Sequence, residues 1–536
     1  MLDRLVGLET EYVLRFHPCE KGGPRTANAD LFARLLAHLR AKVPLAAAMV
    51  GENSWFLGNG GGLRFERLPF YNLLPASGFV EGATPECRGP REVLCYQRAQ
   101  DVLLSQQAAA SGGVDGDVAL LKSSHDGQGH LFGSHENYEA TIGTGGILLA
   151  WRLGLGLALP LLFLLFLLAD MTSLLLVALL AVPERLWCRL TGREPGKHYA
   201  ACVAWIIWLC RSPAQLVGAT LARHTAFCRL RRQLLPFLIS RTIISGPGML
   251  RPDGRFILSP RAASLRSLCG LTAAAGRSVF YFCQILKGIN EVLQGDWRSF
   301  TCLFHRQQRL QLTIGDSNMA QFAEYLKIGT TLLVLDAIEA GELRDVPRLR
   351  RPLRALRAIS ADPDLRTTVP LADGRHASAL DIQRFYLNAC RRLLSRSSVA
   401  NAEAQEVIDL WEETLDTLED DPVRLVGKLD WVTKKHLIDS AGQNTTVAEW
   451  RKLDMRYHEL SRDGYYLQLE ASGAAPTLVD PADVLKATTI PPEGTPATAR
   501  GRLIREFAGS HAVRASWSSV TVSDGSGTRD IRLSPS

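Results

Sequence analysis

Glutamates near the start of the chain supply the first suggestion of chemistry in this sequence. Glu9 and Glu11 lie two apart in Leu5–Tyr12, where carboxylates alternate with apolar residues as in a strand with one wet face, so both point to the same side. Glu66 ends a second short strand, Leu63–Arg67, behind the glycine-rich turn Asn59–Gly62, and Glu81 and Glu86 follow in FVEGATPEC. Several carboxylates gathered on one sheet repel one another unless cations neutralise them. Magnesium bridged to nucleotide phosphates is the usual arrangement. Spacing alone leaves the plain alternative, solvated surface carboxylates, open.

The elements that must position these groups follow from composition and periodicity. A chain of 536 residues with 46% hydrophobic and 21% charged residues is folded and long enough for several domains. A net charge of +7 suits acidic partners or an anionic membrane surface. No run interleaves basic with aromatic residues, so no nucleic-acid partner is expected. Eleven cysteines are scattered without Cys-x-x-Cys pairs or zinc spacing, as idle or buried thiols of a reducing cytosol would be. The opening MLDRLVGLETEY lacks the apolar stretch of a secretion signal, which places the start of the chain in the cytosol. Helical spacing predicts a helix over Asp30–Val43 capped by Asn28 or Asp30, and others at Met319–Leu335, Ala379–Leu394, Glu403–Leu418 and Pro422–Leu437. Strands are expected at Val118–Leu121, Leu235–Ser245 and Arg309–Ile314, with one short strand, Ser518–Val522, in the tail.

Between these parts the composition changes. Leu153–Ala169 is an unbroken apolar run that resumes after Asp170-Met-Thr-Ser at Leu174–Val182. Seventeen helical residues reach about 25 Å, close to the roughly 30 Å of a bilayer core. Arg152 precedes the first run; Arg185, Arg189, Arg193 and Lys197 follow the second. The expectation is a hairpin over 147–190, turning at Asp170, with both ends on the cytoplasmic side of a bacterial inner membrane. Tyr199–Cys210 is shorter and reads as an interfacial or re-entrant helix. A buried helical pair inside a soluble domain is the alternative.

GLETEY (7–12), NGGGLRFE (59–66), EGATPEC (81–87) and KSSHDGQGHLFGSHENY (122–138) resemble blocks of the Pup ligase/Pup deamidase family. LLPFLISRTIISGPG (234–248), FILSPRA (256–262), the long block 314–339, LADGRHASALDIQ (371–383), KLDWVTKKHLI (428–438), DMRYHEL (454–460) and the segment 487–502 continue the likeness in order, leaving about 145–230 as an insertion. The resemblance implies an α+β, glutamine-synthetase-like fold: a curved antiparallel sheet backed by helices, with a small C-terminal domain. It divides the chain into 1–144 and 231–425 for the catalytic domain, 145–230 for the apolar insertion and 426–536 for the small domain.

The same resemblance implies ATP and Mg2+ as cofactors and a small disordered Pup-like modifier and lysine-bearing target proteins as partners; the apolar runs, which lie outside the resemblance, add a lipid bilayer around the insertion. It makes Glu66 the catalytic base, at the place of the family's aspartate, and Glu9, Glu11, Glu81 and His135 the metal set. Thr84, Arg64, Arg241 and Trp431 become the nucleotide contacts, and Glu136 and Asn137 accompany His135. The chain also departs from the family pattern. Gly62 and Arg64 replace an arginine and a tyrosine, and 296–305 lacks the family's acidic segment, leaving Arg298 or His305 as stand-ins. Extra residues separate Glu66 from Glu81, and the short stretch Lys42–Asn59 favours the ligase branch. Three readings follow: an ATP-dependent isopeptide-forming ligase, a noncatalytic membrane-anchored binding relative, and a deamidase- or depupylase-like amidase.

Overall fold

The computed structural model describes residues 1–19, 26–49, 51, 53–67, 78–113, 116–126, 130–191, 197–270, 277–282, 301–397, 400–440, 445–524 and 527–533. The fold is α+β. One large mixed sheet runs β11 (Leu265–Gly270), β12 (Arg277–Tyr281), β13 (Gln307–Leu312), β8 (Ser134–Thr141), β1 (Leu5–Pro18), β5 (Gly78–Ala83), β4 (Gly62–Arg67), β3 (Ser54–Leu57), β2 (Leu45–Ala48), β16 (Ala512–Ala515), β17 (Ser519–Asp524), β18 (Gly527–Arg532). Two more strands, β6 (Cys87–Arg88) and β7 (Gly116–Leu121), pair with β1, and two small hairpins stand apart from the sheet, β9 (Met249–Leu250) with β10 (Phe256–Ile257) and β14 (Thr368–Pro370) with β15 (His376–Ser378). Pairing is antiparallel except at β11–β12 and β2–β16.

Alternation along the central strands decides which side faces what. On β1 the even residues Val6, Leu8, Thr10, Tyr12 and Leu14 are buried against helices, and on β8 Ser134, Glu136, Tyr138 and Ala140 do the same. Thr10 donates to Gln97 at 2.9 Å and Tyr12 to Asp101 at 2.7 Å, which fastens the sheet to the helix Pro90–Ser111. Lys122 then bridges Asp101 (3.0 Å) and Glu324 (3.1 Å), joining that helix to Gln321–Glu339 inside the core. Wholly buried ion pairs of this kind tolerate few registers, because a slipped partner leaves a bare charge in the interior. The turn before β4 needs glycine: Gly60 has φ +85°, and an added Cβ there would lie 2.8 Å from the Ala497 carbonyl.

Several expected elements form close to where periodicity puts them, among them β1, Asn28–Arg40, Gln321–Glu339, Ala379–Arg396 and Ala402–Asp420. Others differ. Leu235–Ser245 is not a strand: it lies in the helices Cys228–Ser240 and Thr242–Ser245, buried from Pro236 to Ser245. An all-round apolar run carries no periodicity to separate helix from strand. Neither Asn28 nor Asp30 caps the first helix, whose N-cap is Ala27; Asn28 instead donates to the Gly78 carbonyl at 2.7 Å. Pro422–Leu437 divides into a 3-10 turn, Pro422–Leu425, and the helix Asp430–Ser440. The tail holds three strands rather than one, β16–β18, over a separate small core of Phe56, Leu503, Ile504, Val513 and Val520. The main core runs from Leu2 to Ala487.

The insertion differs most. Gly145–Thr191 is one continuous helix, and no turn occurs at Asp170. That tetrapeptide contains no glycine or proline, and its hydroxyls bond back into the helix, Thr172 to the Leu168 carbonyl and Ser173 to the Asp170 carbonyl. The return helix is Lys197–Thr225, so the predicted re-entrant patch Tyr199–Cys210 is part of a longer element. The two helices pack on each other and share the pair Arg211–Asp170 at 2.6 Å, and the first buries Trp151, Leu155, Leu159, Leu162, Phe166, Ala169 and Ser173. Their remaining faces expose leucines from Leu149 to Leu190, with Trp187, Trp205 and Trp208. At the base of this arm Trp151 donates to the Leu303 carbonyl and Arg152 to the Phe304 carbonyl, both at 2.9 Å.

Candidate active site

Register places the expected residues on one face of the sheet. Glu9 faces His135 across β1–β8 and Ala83 across β1–β5; Glu11 faces Glu81, and Glu81 faces Arg64. Since these positions are in register, their side chains leave the sheet on the side opposite Thr10 and Tyr12. Glu66, two residues beyond Arg64, joins the same face, as do Asn137, Arg309 and Gln311 from β8 and β13.

Guanidinium groups neutralise the carboxylates. Arg64 lies 2.5 Å from Glu66 and 2.8 Å from Glu81. Arg309 pairs with Glu9 at 2.7 Å and donates to Asn137 at 2.7 Å; Asn137 and Gln311 each donate to Glu9 at 3.2 Å. His135 lies 3.4 Å from Glu9 and 4.0 Å from Glu11, while Glu11 accepts from the Gly133 amide at 2.8 Å. Burial works against the Glu9 charge, yet Arg309 and then His135 overcome it and hold the carboxyl at about 2. For Glu81 burial dominates: Arg64 opposes it, the charges of Glu9, Glu66 and Glu11 add to it, and the carboxyl stands well above its ordinary range. Burial pulls Arg64 down, but Glu81 and Glu66 raise it further and keep it charged. Arg277, on β12, is pushed down to about 10 by burial and by Arg261, with Glu11 and Glu66 pulling the other way.

The nucleotide contacts expected from sequence are not gathered here, apart from Arg64. Arg241 is buried behind the sheet, in a two-pronged pair with Glu136 at 2.6 and 2.9 Å and hydrogen bonds to Thr331 and the Lys327 carbonyl. Trp431 is also buried and donates to the Ile243 carbonyl at 2.8 Å. Thr84, at the end of β5, accepts from the Leu8 amide at 3.0 Å. His305 is exposed just before β13, and Arg298 lies outside the described residues. Arg309, Gln311, Arg261 and Arg277 were not foreseen. Alternation along Gln307–Leu312 is the signal that could have found the first two.

Magnesium takes hard oxygen ligands at close range. Glu9, Glu11, Glu81 and His135 share a face, but among the described residues no three His, Cys, Asp or Glu side chains form a group able to hold a metal ion. Glu9 and Glu81 already have guanidinium counter-charges. As arranged, the set does not fit a divalent ion.

The profile of a family described as Pup-ligase protein matches residues 4–521. A Pup–protein ligase of Acidimicrobium ferrooxidans is 29% identical over 524 residues, 95% of this chain and 90% of its own length. A Pup deamidase/depupylase of Mycobacterium tuberculosis is 35% identical over 316 residues, 56% of this chain and 59% of that protein, so the match spans less than two thirds of that relative. Among solved structures, the complex between the prokaryotic ubiquitin-like protein Pup and its ligase PafA aligns with a TM-score of 0.69 at 21% identity, over 100% of this chain and 88% of that one. PafA in complex with ADP aligns with a TM-score of 0.63 at 21% identity, over 97% and 94%. At that identity the likeness is one of fold.

Proposed function

Because the chain belongs to the Pup-ligase family, we propose that it is an ATP-dependent carboxylate–amine ligase joining a glutamate side chain of a small Pup-like modifier to lysines of target proteins. The observation that carries this reading is the placement of Glu66 beside Arg64 on a sheet face lined by Glu9, Glu11, Glu81, His135 and Arg309. Bound nucleotide would supply a phosphoryl group to activate the modifier's carboxylate. The chain's own residues do the rest. Arg309 and Arg64 offer charge to phosphate oxygens. The Glu66 carboxylate, 37% exposed, is the accessible acid of the set and takes a proton from the incoming lysine. The free amine then attacks the activated carbonyl carbon, the C–N bond forms and phosphate leaves.

The magnesium implied by the family resemblance requires Glu9 and Glu81 to release Arg309 and Arg64. The test is ATP turnover by the full chain with acidic peptides ending in Gly-Glu, compared with Glu66→Ala. Peptide-dependent turnover that falls about 10²-fold or more in the variant supports the ligase. Ammonia release from a Gly-Gln peptide without ATP turnover would move the chain to the hydrolase branch. Nucleotide binding without either reaction would make it a noncatalytic relative.

We further propose that the arm 145–225 tethers the protein to the cytoplasmic face of the inner membrane. Gly145–Thr191 is the one helix among the described residues long and apolar enough to cross a bilayer, with a mean hydropathy of 2.5 over its most apolar window and only 22% of that window buried. Tethering would favour membrane-proximal targets by raising their effective concentration. Membrane pellets washed with carbonate should retain the protein; release into the supernatant would exclude insertion.

A further inference from the structure

The return helix of the arm, Lys197–Thr225, packs on β11 at the edge of the large sheet, and the chain then enters the helix Cys228–Ser240. Arg229 and Arg232, at the start of that helix, are exposed. Gln233, beside them, donates to the Leu343 carbonyl at 3.2 Å. From Leu343 to Ala358 the chain reads LRDVPRLRRPLRALRA, six arginines against one carboxylate, Asp345. The end of this segment returns to the same strand. Helix Pro352–Ser360 packs on Cys228–Ser240 and on β11, and Arg357 donates to the Leu265 carbonyl at 3.0 Å. The arginine-rich segment and the arm therefore share a footing on one sheet edge.

Arg344, Arg348, Arg350, Arg351 and Arg354 are exposed and have no ion pair among the described residues. Ala355, Leu356 and Ile359 take the buried side of their helix, which turns Arg351 and Arg354 outward. The neighbouring helices differ. Arg384 pairs with Asp416 at 2.7 Å and Glu419 at 2.5 Å, and Arg391 with Glu412 at 2.5 Å. Glu342, the carboxylate next to the patch, is already held by Arg396 at 2.6 Å. Asp345 alone does not balance the segment, so an anionic counter-surface is what its field attracts.

We propose that Arg229, Arg232 and the arginines of 343–358 form a collar at the foot of the arm that docks on anionic phospholipid headgroups of the leaflet the arm enters. The inference rests on the tether reading and goes beyond it, because the arm supplies depth and the collar supplies orientation. Guanidinium forks match phosphodiester oxygens. Basic residues beside a membrane anchor are drawn to anionic lipid, and an apolar anchor with a basic patch holds more firmly than either alone. Docked in this way, the body stands with its β11 edge on the bilayer and does not pivot about the arm.

The experiment places the full chain in lipid nanodiscs of phosphatidylcholine alone, or with about one-third phosphatidylglycerol, and follows the modification of each arginine by phenylglyoxal with mass spectrometry. Arg344, Arg348 and Arg354 should react roughly fivefold or more slowly in the anionic discs, and about 0.5 M salt should abolish that protection. Arg529, exposed on β18 at the other end of the sheet, should react alike in both. Substituting Arg348→Gln, Arg351→Gln and Arg354→Gln together should open Arg229, Arg232 and Arg344 to modification in anionic discs, while the arm still resists carbonate. Equal reaction in the two discs, or undiminished protection in the triple variant, overturns the proposal. So does protection by added RNA with none by phosphatidylglycerol, which would give the surface to a nucleic acid. If the chain enters neither disc, the tether reading fails on its own account, and flotation with the same lipids decides the collar: salt-sensitive binding to anionic vesicles keeps it, and no binding removes it.

Discussion

At the scale of single residues, the sheet face and its reverse impose different demands on charges that look alike in sequence. Arg241 and Arg64 both read as nucleotide contacts, but Arg241 is 1% exposed and closes a buried pair with Glu136. Arg241→Met should therefore destabilise the fold by about 3–5 kcal/mol, because it strands a buried carboxylate, while leaving phosphate affinity in the surviving folded fraction unchanged. Chemical denaturation and calorimetry check the two halves. Burial raises the Glu136 carboxyl, but Arg241 outweighs it and holds the group below its ordinary 4.5. A depressed carboxylate stabilises the fold above 4.5, and that contribution disappears as pH falls through the lowered value. Denaturation midpoints measured from pH 7 to pH 3 should fall steeply below 4.5, and more shallowly in Glu136→Gln. The acidic half of the site was legible because Glu9 and Glu11 stand two apart on a strand. Its basic half was not, since Arg261, Arg277 and Arg309 come from distant segments that only the sheet brings to β1. Arg64 and Arg309 already balance Glu81 and Glu9, so ATP should bind with similar affinity in magnesium and in EDTA, and lose affinity in Arg309→Met. Binding abolished by EDTA would show that metal displaces the arginines.

Among the elements, what periodicity captured were amphipathic helices and half-buried strands, whose two faces meet different surroundings. Local capping reinforces one of them: Ser378 and Asp381 form a reciprocal cap at the start of the helix Ala379–Arg396. Segments with a single environment escaped. Pro236–Ser245 is buried all round, and the insertion is apolar all round, so neither shows a stripe from which its geometry could be read. The break expected at Asp170 failed for a related reason: a charged residue in an apolar run resembles a turn when its partner, Arg211, is 41 positions away. Removing one member of that pair leaves a lone charge on an apolar arm. Arg211→Leu should lower the melting temperature in detergent, and adding Asp170→Leu should restore it. A double variant as unstable as the single one would show that the pair matters for its shape and not its charge.

For the whole molecule, the arm and the site share a base. From Arg152 to Cys188 is 36 residues, about 54 Å of helix, more than the roughly 30 Å of a bilayer core. With the other thiols replaced, Cys188 should react with a membrane-impermeant maleimide only from the face opposite the globular body. Labelling from the body's own side would show the arm lying along the surface. The arm's footing also bears on how the protein is handled. Trp151 and Arg152 grip the carbonyls of Leu303 and Phe304, and Gln308 shares the first of these, at the doorstep of the strand that carries Arg309 and Gln311. Amputating the arm at its root to obtain a detergent-free protein would loosen the scaffolding behind Arg309. Trimming from the distal end, keeping the first two turns as far as Trp151 and Arg152, would remove the grease and spare the hinge-pin.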